Sequence, residues 1–421
     1  MIVNFKFKNF LSFANACNFT MLANADKSHE SNLIAIDRGK LSKAKIIYGA
    51  NASGKTSFIK ALVFMSSFIE KSNFLLDNNK IEVIPFKFRE EAYKCPSEFS
   101  ITFIKNGLKY KYEFSCTIFQ VITEKLEIYY TAKPTTIFYR HNTDIFEFYN
   151  KDAKLLNEIK SKNTKNKLFL VTLATWNYEI AKPVVEFLLN DIHAVNDMSH
   201  AWKVYIDKIL NNNEWDEYKK FCLNFLNNAD FSINDISIKT RRIKDLDERL
   251  ILHLANSLPR NADIDMNNLL NISVYNFKTH HQVKIDNEIK NYFLNLNEES
   301  EGTSQMFLLS TLLYFVLKKG DVIFIDEINK SLHPLLVEYI FKMFLDPEIN
   351  KNNAQIISTS HDTNMLNLEI FRRDEILFTE RNNDTGETKL FPLSDFSPRK
   401  NENIEKSYLL GRFGAVPFIG V

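Results

Sequence analysis

The opening residues Met1-Ile2-Val3-Asn4-Phe5-Lys6-Phe7-Lys8 alternate apolar and polar side chains, the pattern of a strand with one buried face. The same alternation returns in Pro85-Phe86-Lys87-Phe88, Phe99-Ser100-Ile101-Thr102-Phe103 and Tyr110-Lys111-Tyr112-Glu113-Phe114. Asn106-Gly107, between the last two runs, is a hairpin turn signal. Residues 1–180 therefore predict a lobe made mainly of antiparallel strands. The period then changes. Trp202, Tyr205, Ile206, Ile209 and Leu210, and later Leu223, Phe225 and Leu226, fall at helical spacing. Residues 181–270 predict a mostly helical insertion whose apolar positions do not sustain a heptad, which favours a compact lid or partner-docking domain over a coiled-coil arm. From 271 to 421 short apolar strands alternate with helices, the order that builds a parallel sheet.

Ile46-Ile47-Tyr48 reads as a buried strand and runs directly into Gly49-Ala50-Asn51-Ala52-Ser53-Gly54-Lys55-Thr56-Ser57. Residues 49–56 satisfy GxxxxGK[ST] at every fixed position. A polyphosphate needs several converging backbone N–H donors, and only a tight, glycine-permitted turn supplies them. The helix that starts near Lys55 points its positive end at the same anion. Lys55 would reach the β- and γ-phosphates, and the Thr56 hydroxyl would ligate Mg²⁺. The expected fold class is thus α/β, a phosphate-loop nucleotide-binding head in two sequence halves, with an N-terminal antiparallel β lobe and a mostly helical insertion between the halves.

Asp321-Val322-Ile323-Phe324-Ile325-Asp326-Glu327 is a second buried strand, ending in two acids. In phosphate-loop enzymes the first acid, here Asp326, holds Mg²⁺ through water while its strand lies beside the phosphate loop. The adjacent Glu327 can orient and deprotonate an attacking water and is the candidate general base. Upstream, Glu299-Ser300-Glu301-Gly302-Thr303-Ser304-Gln305 opens the apolar helix Met306 to Leu317, and Lys318-Lys319-Gly320 stops it. Ser300, Gly302 and Thr303 at a helix start make a second candidate anion site. Downstream come Asn329-Lys330-Ser331-Leu332-His333-Pro334 and then the strand Gln355-Ile356-Ile357-Ser358-Thr359, closed by Ser360-His361-Asp362. A histidine at the C-terminal end of a parallel strand faces the ligand crevice, where His361 could touch a γ-phosphate.

The order of these parts resembles the ATP-binding-cassette class of ATPases, in its SMC/RecF/OLD-like soluble branch. By that resemblance Ser300 to Thr303 form the signature motif that touches ATP held by another subunit, Ser331 to His333 the D-loop, and His361 the switch histidine. The signature reads SEGTSQ where the wider class has LSGGQ. That variant, together with Asn9-Phe10-Leu11-Ser12-Phe13 and the ending Ile404-Glu405-Lys406-Ser407-Tyr408-Leu409-Leu410-Gly411-Arg412-Phe413-Gly414-Ala415-Val416-Pro417, is similar to the bacterial abortive-infection ATPases of the AbiL/RloA type, with the PARIS-system ATPase as a cousin. The similarity runs over essentially the whole chain and is most specific at 46–57, 298–334, 355–362 and 404–417. It implies a cytoplasmic anti-phage ATPase using ATP and Mg²⁺. It further implies a homodimer or higher homo-oligomer of head-to-tail ATP sandwiches, a phage-derived trigger, and a separately encoded, often nuclease-like effector. The TOPRIM nuclease domain of OLD-type relatives is not expected on this chain. No NKxD motif reads the base, so ATP over GTP rests on the resemblance alone. None of the four glutamines (Gln120, Gln282, Gln305, Gln355) sits in a Q-loop context, though Gln120 comes nearest, and no aromatic residue stands out as an adenine stacker.

Composition narrows the alternatives. With 45% hydrophobic and 25% charged residues, and 53 Lys+Arg against 52 Asp+Glu, the chain is neither disordered nor a polycation that holds nucleic acid by bulk charge. The four cysteines are scattered, with no CxxC, which argues against a disulfide framework or a zinc site and fits a reducing cytoplasm. No secretory signal opens the sequence, and its longest apolar run falls short of the roughly 18–20 residues of a membrane span, so no membrane association is expected. Lys239, Arg241, Arg242 and Lys244 form a basic run that could touch DNA phosphates; Asp245, Asp247, Glu248 and Arg249 follow it, and the run reads rather as a solvated mixed-charge surface. His280 and His281, adjacent on a strand, point to opposite faces and would not share a metal. Asp263-x-Asp265 sits in a polar, Asn-rich loop and reads as solvated rather than nucleolytic. Two further function classes stay open: a nucleotide-gated binding module that holds or releases an effector, and a RecF/SMC-like DNA-binding ATPase of DNA repair.

Overall fold

Phenylalanine-rich alternation builds the first sheet. Strands β1 (Ile2–Lys8), β2 (Cys17–Thr20), β6 (Ser97–Lys105), β7 (Leu108–Cys116), β8 (Val121–Tyr129), β9 (Thr135–His141) and β10 (Ile145–Phe148) form an antiparallel seven-stranded sheet in the order β10-β9-β8-β7-β6-β1-β2. A small hairpin, β3 (Leu33–Ala35) with β4 (Lys40–Ser42), lies between β2 and the next strand in sequence. Asn106 and Gly107 both take positive φ, 52° and 76°, in the tight turn that sets Lys105 opposite Leu108. One sheet face buries Phe5, Phe7, Phe99, Phe103, Tyr112 and Phe114. The computed structural model describes residues 1–149, 151–195, 198–245, 273–330, 332–399 and 402–416.

The second sheet carries the chemistry. Strands β5 (Ala44–Tyr48), β11 (Ile192–Val195), β15 (Val322–Ile325), β16 (Gln355–Thr359), β17 (Ile376–Arg381) and β18 (Thr388–Pro392) are ordered β11-β15-β16-β5-β17-β18. All neighbours run parallel except β17 and β18. Helix α1 (Lys55–Ser72) packs between the two sheets. Phe58 meets Phe19 of the first at 5.1 Å between ring centroids and Phe324 of the second at 6.4 Å. The rings explain the demand for phenylalanine: each brings a large apolar area and fixes the helix by edge and tilted contacts. Further helices are α2 (Ala153–Lys160), α3 (Phe169–Thr175) and α4 (Lys182–Asn190), whose Phe187 stacks on Phe103 at 4.0 Å.

Three expectations change. The strand bearing the two acids is not beside the phosphate-loop strand: β16 lies between them, pairing Ile325 with Ser358 on one side and Ile46 with Ser358 on the other. Hydrophobic pattern identifies buried strands but not their lateral order, which the crossovers decide. Pro85-Phe86-Lys87-Phe88 forms no strand. Pro85 has no N–H for a ladder, and the segment is tied instead by the Leu11 N–H to the Ile84 carbonyl (2.9 Å) and the Phe86 N–H to Asn9 Oδ1 (3.1 Å). Finally, 181–195 is not part of a separate insertion, because β11 pairs with β15 in the parallel sheet.

The chain divides into two units, Met1–Asp197 with Phe315–Val421, and Met198–Tyr314. The second unit contains α5 (Met198–Asn211), α6 (Trp215–Asn228), the three-stranded sheet β12 (Asp235–Arg242), β13 (Ser273–Ile285) and β14 (Glu288–Asn295), and the first part of α7 (Glu301–Lys319). Phe277 of β13 anchors its core against Trp202 (5.7 Å) and Phe307 (4.8 Å). Two helices complete the first unit, α8 (Pro334–Leu345) and α9 (Ile404–Leu409). No helix among the described residues is long and apolar enough to cross a membrane.

Candidate functional site

The wholly buried β5 delivers the chain into the phosphate loop at Gly49. A Cβ at Gly49 would lie 2.4 Å from the Thr379 carbonyl oxygen and 2.5 Å from Ser53 Oγ, so no other residue fits that close approach. Gly54 caps α1 at φ 110°, a conformation open to glycine, and a Cβ there would lie 2.5 Å from the Thr388 side chain. The loop is braced from the neighbouring strands. Ser53 Oγ is 2.7 Å from Thr379 Oγ1, and Thr388 Oγ1 donates to the Ser53 carbonyl at 2.9 Å. A third brace comes from the C-terminal segment: the Ala50 N–H donates to the Ala415 carbonyl at 2.9 Å, which also accepts the Tyr408 hydroxyl at 3.0 Å.

Asn51, Ala52 and Thr56 are exposed, Ala50 and Ser57 are half-buried, and Ser53, Gly54 and Lys55 are buried. The first backbone bond of α1 is from the Phe58 N–H to the Gly54 carbonyl. The N–H groups of Lys55, Thr56 and Ser57 precede it and point along the axis, as first-turn donors do. Lys55 Nζ donates to the carbonyls of Gly49 (2.6 Å) and Ala50 (2.9 Å). Burial brings its pKa down to about 8, against the opposing pull of the Glu327 and Asp326 charges. Those two carboxylates therefore act on Lys55 across the intervening strand.

Asp326 and Glu327 emerge from β15, and Glu327 sits at φ 53°, in the left-handed region. Thr359, the last residue of β16, fixes both. Its Oγ1 donates to Asp326 Oδ1 at 2.6 Å and accepts the Glu327 N–H at 2.7 Å, while its carbonyl accepts the Ile328 N–H at 3.1 Å. His361 Nε2 is 3.2 Å from Glu327 Oε1. Asn329 Oδ1 holds the histidine's turn by accepting Ser360 Oγ (3.2 Å) and the His361 N–H (3.3 Å). Lys55, Asp326, Glu327 and His361 are thus gathered at the C-terminal ends of three consecutive strands. Thr56 and Asp326 offer hard hydroxyl and carboxylate oxygens, a donor set that suits Mg²⁺.

Thr359, Asn329, Thr379, Thr388 and Ala415 are residues that sequence reasoning missed. Asn329, Thr359 and Ala415 lie in segments that the family resemblance marks, Asn329 in the turn after the two acids; Thr379 and Thr388 carry no signal. Ser331 lies outside the described residues, as do Asp263 and Asp265. His333 caps α8, its Nδ1 accepting the Leu335 N–H at 3.3 Å.

The Ser300–Thr303 segment belongs to the second unit. Ser300 Oγ accepts the Thr303 N–H at 3.1 Å and lies 2.7 Å from Thr303 Oγ1, and Gly302 falls in the same first turn of α7. The Ser300 hydroxyl is therefore engaged as a helix cap. Glu299 Oε1 is hydrogen-bonded to Thr279 and lies 2.8 Å from His281 Nε2, whereas His280 Nε2 is 2.9 Å from Ser237 Oγ, so the two histidines turn to separate partners.

The profile of the family described as "AAA domain, putative AbiEii toxin, Type IV TA system" matches residues 46–367, a span that takes in the phosphate loop, both acids and His361. No curated protein matches the sequence. Among solved structures, an Smc head bound to the C-winged helix domain of ScpA is similar at TM-score 0.44 and 11% identity, over 93% of this chain and 97% of that one. An Smc head domain with an extended coiled coil, bound to the C-terminal domain of ScpA from Pyrococcus furiosus, is similar at TM-score 0.41 and 14% identity, over 98% of this chain and 99% of that one.

Proposed function

Because the chain belongs to this family of AAA domains, we propose that it is an ABC-type ATPase whose site is completed by a second copy of itself. Lys55 and the N–H donors of residues 50–57 hold the polyphosphate of ATP. Thr56 and Asp326 hold Mg²⁺, which when bound neutralises phosphate charge. Ser300, Gly302 and Thr303 of one copy cover the nucleotide held by the other. Two such half-sites per chain close reciprocally with two-fold symmetry. Glu327 takes the proton of the attacking water, and His361, within hydrogen-bond reach of that carboxylate, orients it and faces the γ-phosphate. Closure removes water around these groups and strengthens every charge interaction among them.

The observation that carries this reading is the convergence of Lys55, Asp326, Glu327 and His361, with Glu327 and His361 3.2 Å apart. The family description, which names an AbiEii toxin and a type IV toxin–antitoxin system, supports a role in abortive infection. There this subunit would sense a phage component and gate a separately encoded effector, with slow or trigger-dependent hydrolysis as the timer. The test is turnover and ATP affinity of Glu327→Gln beside the unmodified chain. The variant is expected to bind ATP normally and not hydrolyse it; hydrolysis at the unmodified rate removes Glu327 from the base role. A second reading, a RecF/SMC-like ATPase acting on DNA, is favoured by the exposed cations of β12.

A further inference from the structure

Around Phe277 the sheet of the second unit has one face committed to its core and one left to solvent, and the register fixes which side chains share each. Arg241 pairs with Val274, Lys239 with Asn276, Ser237 with Lys278 and Asp235 with His280; across β14, Lys278 pairs with Asn295, His280 with Phe293, Gln282 with Asn291 and Lys284 with Ile289. Neither ladder contains a register shift, so these residues all lie on one face. It is the face opposite Phe277 and Thr279, which are buried.

That face carries four cations, Lys239, Arg241, Lys278 and Lys284, of which only Lys278 is half-buried and the rest are exposed. None of them forms an ion pair among the described residues. Among the described strand residues of this face the one carboxylate, Asp235, is already neutralised by Lys219 at 2.6 Å, and Glu298, just past β14, is held by the Asn295 side chain at 2.8 Å. The first unit supplies an internal control. On the outer face of its seven-stranded sheet, glutamates answer several of the lysines: Lys8 meets Glu98 of the neighbouring strand at 3.0 Å, Lys111 meets Glu113 of its own strand at 2.6 Å, and Lys125 pairs with Glu127 of its own strand, while Lys109 lies over the Tyr129 ring at 3.8 Å. On the face of β12–β14 no cation of the sheet is answered in this way among the described residues. That face also displays a large ring: Phe293 is 56% exposed, held edge-on by His280 at 4.6 Å.

We propose that this face binds a single strand of nucleic acid. Same-face residues along a strand are spaced about 6.7 Å apart, the scale of one nucleotide step of an extended chain, so Lys239 and Arg241 meet successive phosphates and Lys278 a neighbouring one. Phe293 offers a stacking platform to an unstacked base, which a single strand presents and a duplex does not. Asn276, Gln282 and Asn291 supply sequence-tolerant hydrogen bonds around it. The basic run seen in the sequence is thus half of a site, and its partner cations lie on β13. The inference does not draw on the ATPase reading.

The test uses the full chain and three probes: a labelled oligothymidylate, a duplex of the same length, and polyglutamate, with binding followed by anisotropy over a salt series. The oligothymidylate is expected to bind best. Lys239→Glu/Arg241→Glu/Lys278→Glu should remove most of that affinity and lower the log–log salt slope by about two, three phosphate contacts at about 0.7 each. Phe293→Ala should weaken oligothymidylate binding about tenfold and leave the slope unchanged. If the triple variant melts early, the exposed pair Lys239→Gln/Arg241→Gln serves, with a slope lowered by about 1.4. Absence of oligothymidylate binding at low salt, or binding indifferent to these charges, overturns the proposal. Polyglutamate bound as tightly as the oligonucleotide points to an acidic protein partner instead, and a duplex bound as tightly with Phe293→Ala neutral points to double-stranded DNA; either overturns the single-strand assignment.

Discussion

Thr359 Oγ1 donates to Asp326 Oδ1 at 2.6 Å. A threonine hydroxyl has one proton to give, and here the carboxylate takes it, leaving a lone pair for the Glu327 N–H at 2.7 Å. One side chain thus sets the direction of both acids. Thr359→Val keeps the volume and deletes both bonds. It should lower kcat about 10–100-fold, as loss of an orienting partner does at metal-binding carboxylates, with ATP affinity little changed. Thr359→Ser should restore turnover. Steady-state kinetics of the two variants check this, and a Val variant with unmodified kcat removes the positioning role.

Glu327 holds a left-handed backbone, φ 53°, which for a residue with a Cβ costs roughly 1–2 kcal/mol. Such strain at a reacting group is retained for function. Glu327→Gly should therefore abolish hydrolysis yet melt above Glu327→Gln, which keeps the Cβ. Thermal denaturation of the two inactive variants decides it, and a glycine variant melting below the glutamine one contradicts the strain.

Burial brings Lys55 to about 8. The nucleotide prefers the protonated lysine, and binding raises its pKa, so binding takes up a proton once the pH passes that value. Affinity should be flat below pH 8 and fall by up to about tenfold per unit above it. Lys55→Met should bind weakly with no such break. Titration of a fluorescent ATP analogue from neutral to about pH 9 measures it. The same lysine affects folding with the opposite sign. Its folded pKa lies below the unfolded value, so its charge burial costs stability below pH 8, and that cost fades as pH rises toward the unfolded value near 10.5.

The Ala415 carbonyl joins the Ala50 N–H to the Tyr408 hydroxyl, and the Tyr408 ring stacks on Phe378 at 5.4 Å. Tyr408→Ala should cost about 3–5 kcal/mol, as truncation of a buried ring does, and weaken ATP binding by loosening the loop. Tyr408→Phe keeps the stack and should cost only about 1 kcal/mol. Denaturant melts with and without ATP separate the two effects; equal ATP affinity in all three proteins would uncouple the C-terminal segment from the loop.

Legibility in the sequence followed the range of the interactions. Gly49, Gly54 and Lys55 act within one turn, so their fixed spacing was enough, and the strand ending in Asp326-Glu327 announced itself by its apolar run. Asn106-Gly107 gave its hairpin for the same reason. The roles of Thr359, Thr379 and Thr388 were invisible. Each is an ordinary β-branched residue on a strand, and its partner, the two acids past β15 for Thr359 and Ser53 of the phosphate loop for Thr379 and Thr388, lies in a segment that only the sheet order brings near. The β15-β16-β5 order and the short β11, Ile-His-Ala-Val with half its residues weakly apolar, were hidden likewise. Pro85-Phe86-Lys87-Phe88 misled because alternation measures which side chains are buried, while a strand also needs backbone partners that proline withholds. The cations of β12 read as balanced in sequence because acids follow them there, whereas the sheet sorts charges by face.

A nucleotide site shared between two copies is tested most directly by the solution mass of the Glu327→Gln chain with and without ATP and Mg²⁺. The mass should rise with ATP to that of a dimer or a multiple of it, and adding Lys55→Ala should prevent the rise. A chain that remains monomeric at saturating ATP would contradict the shared site.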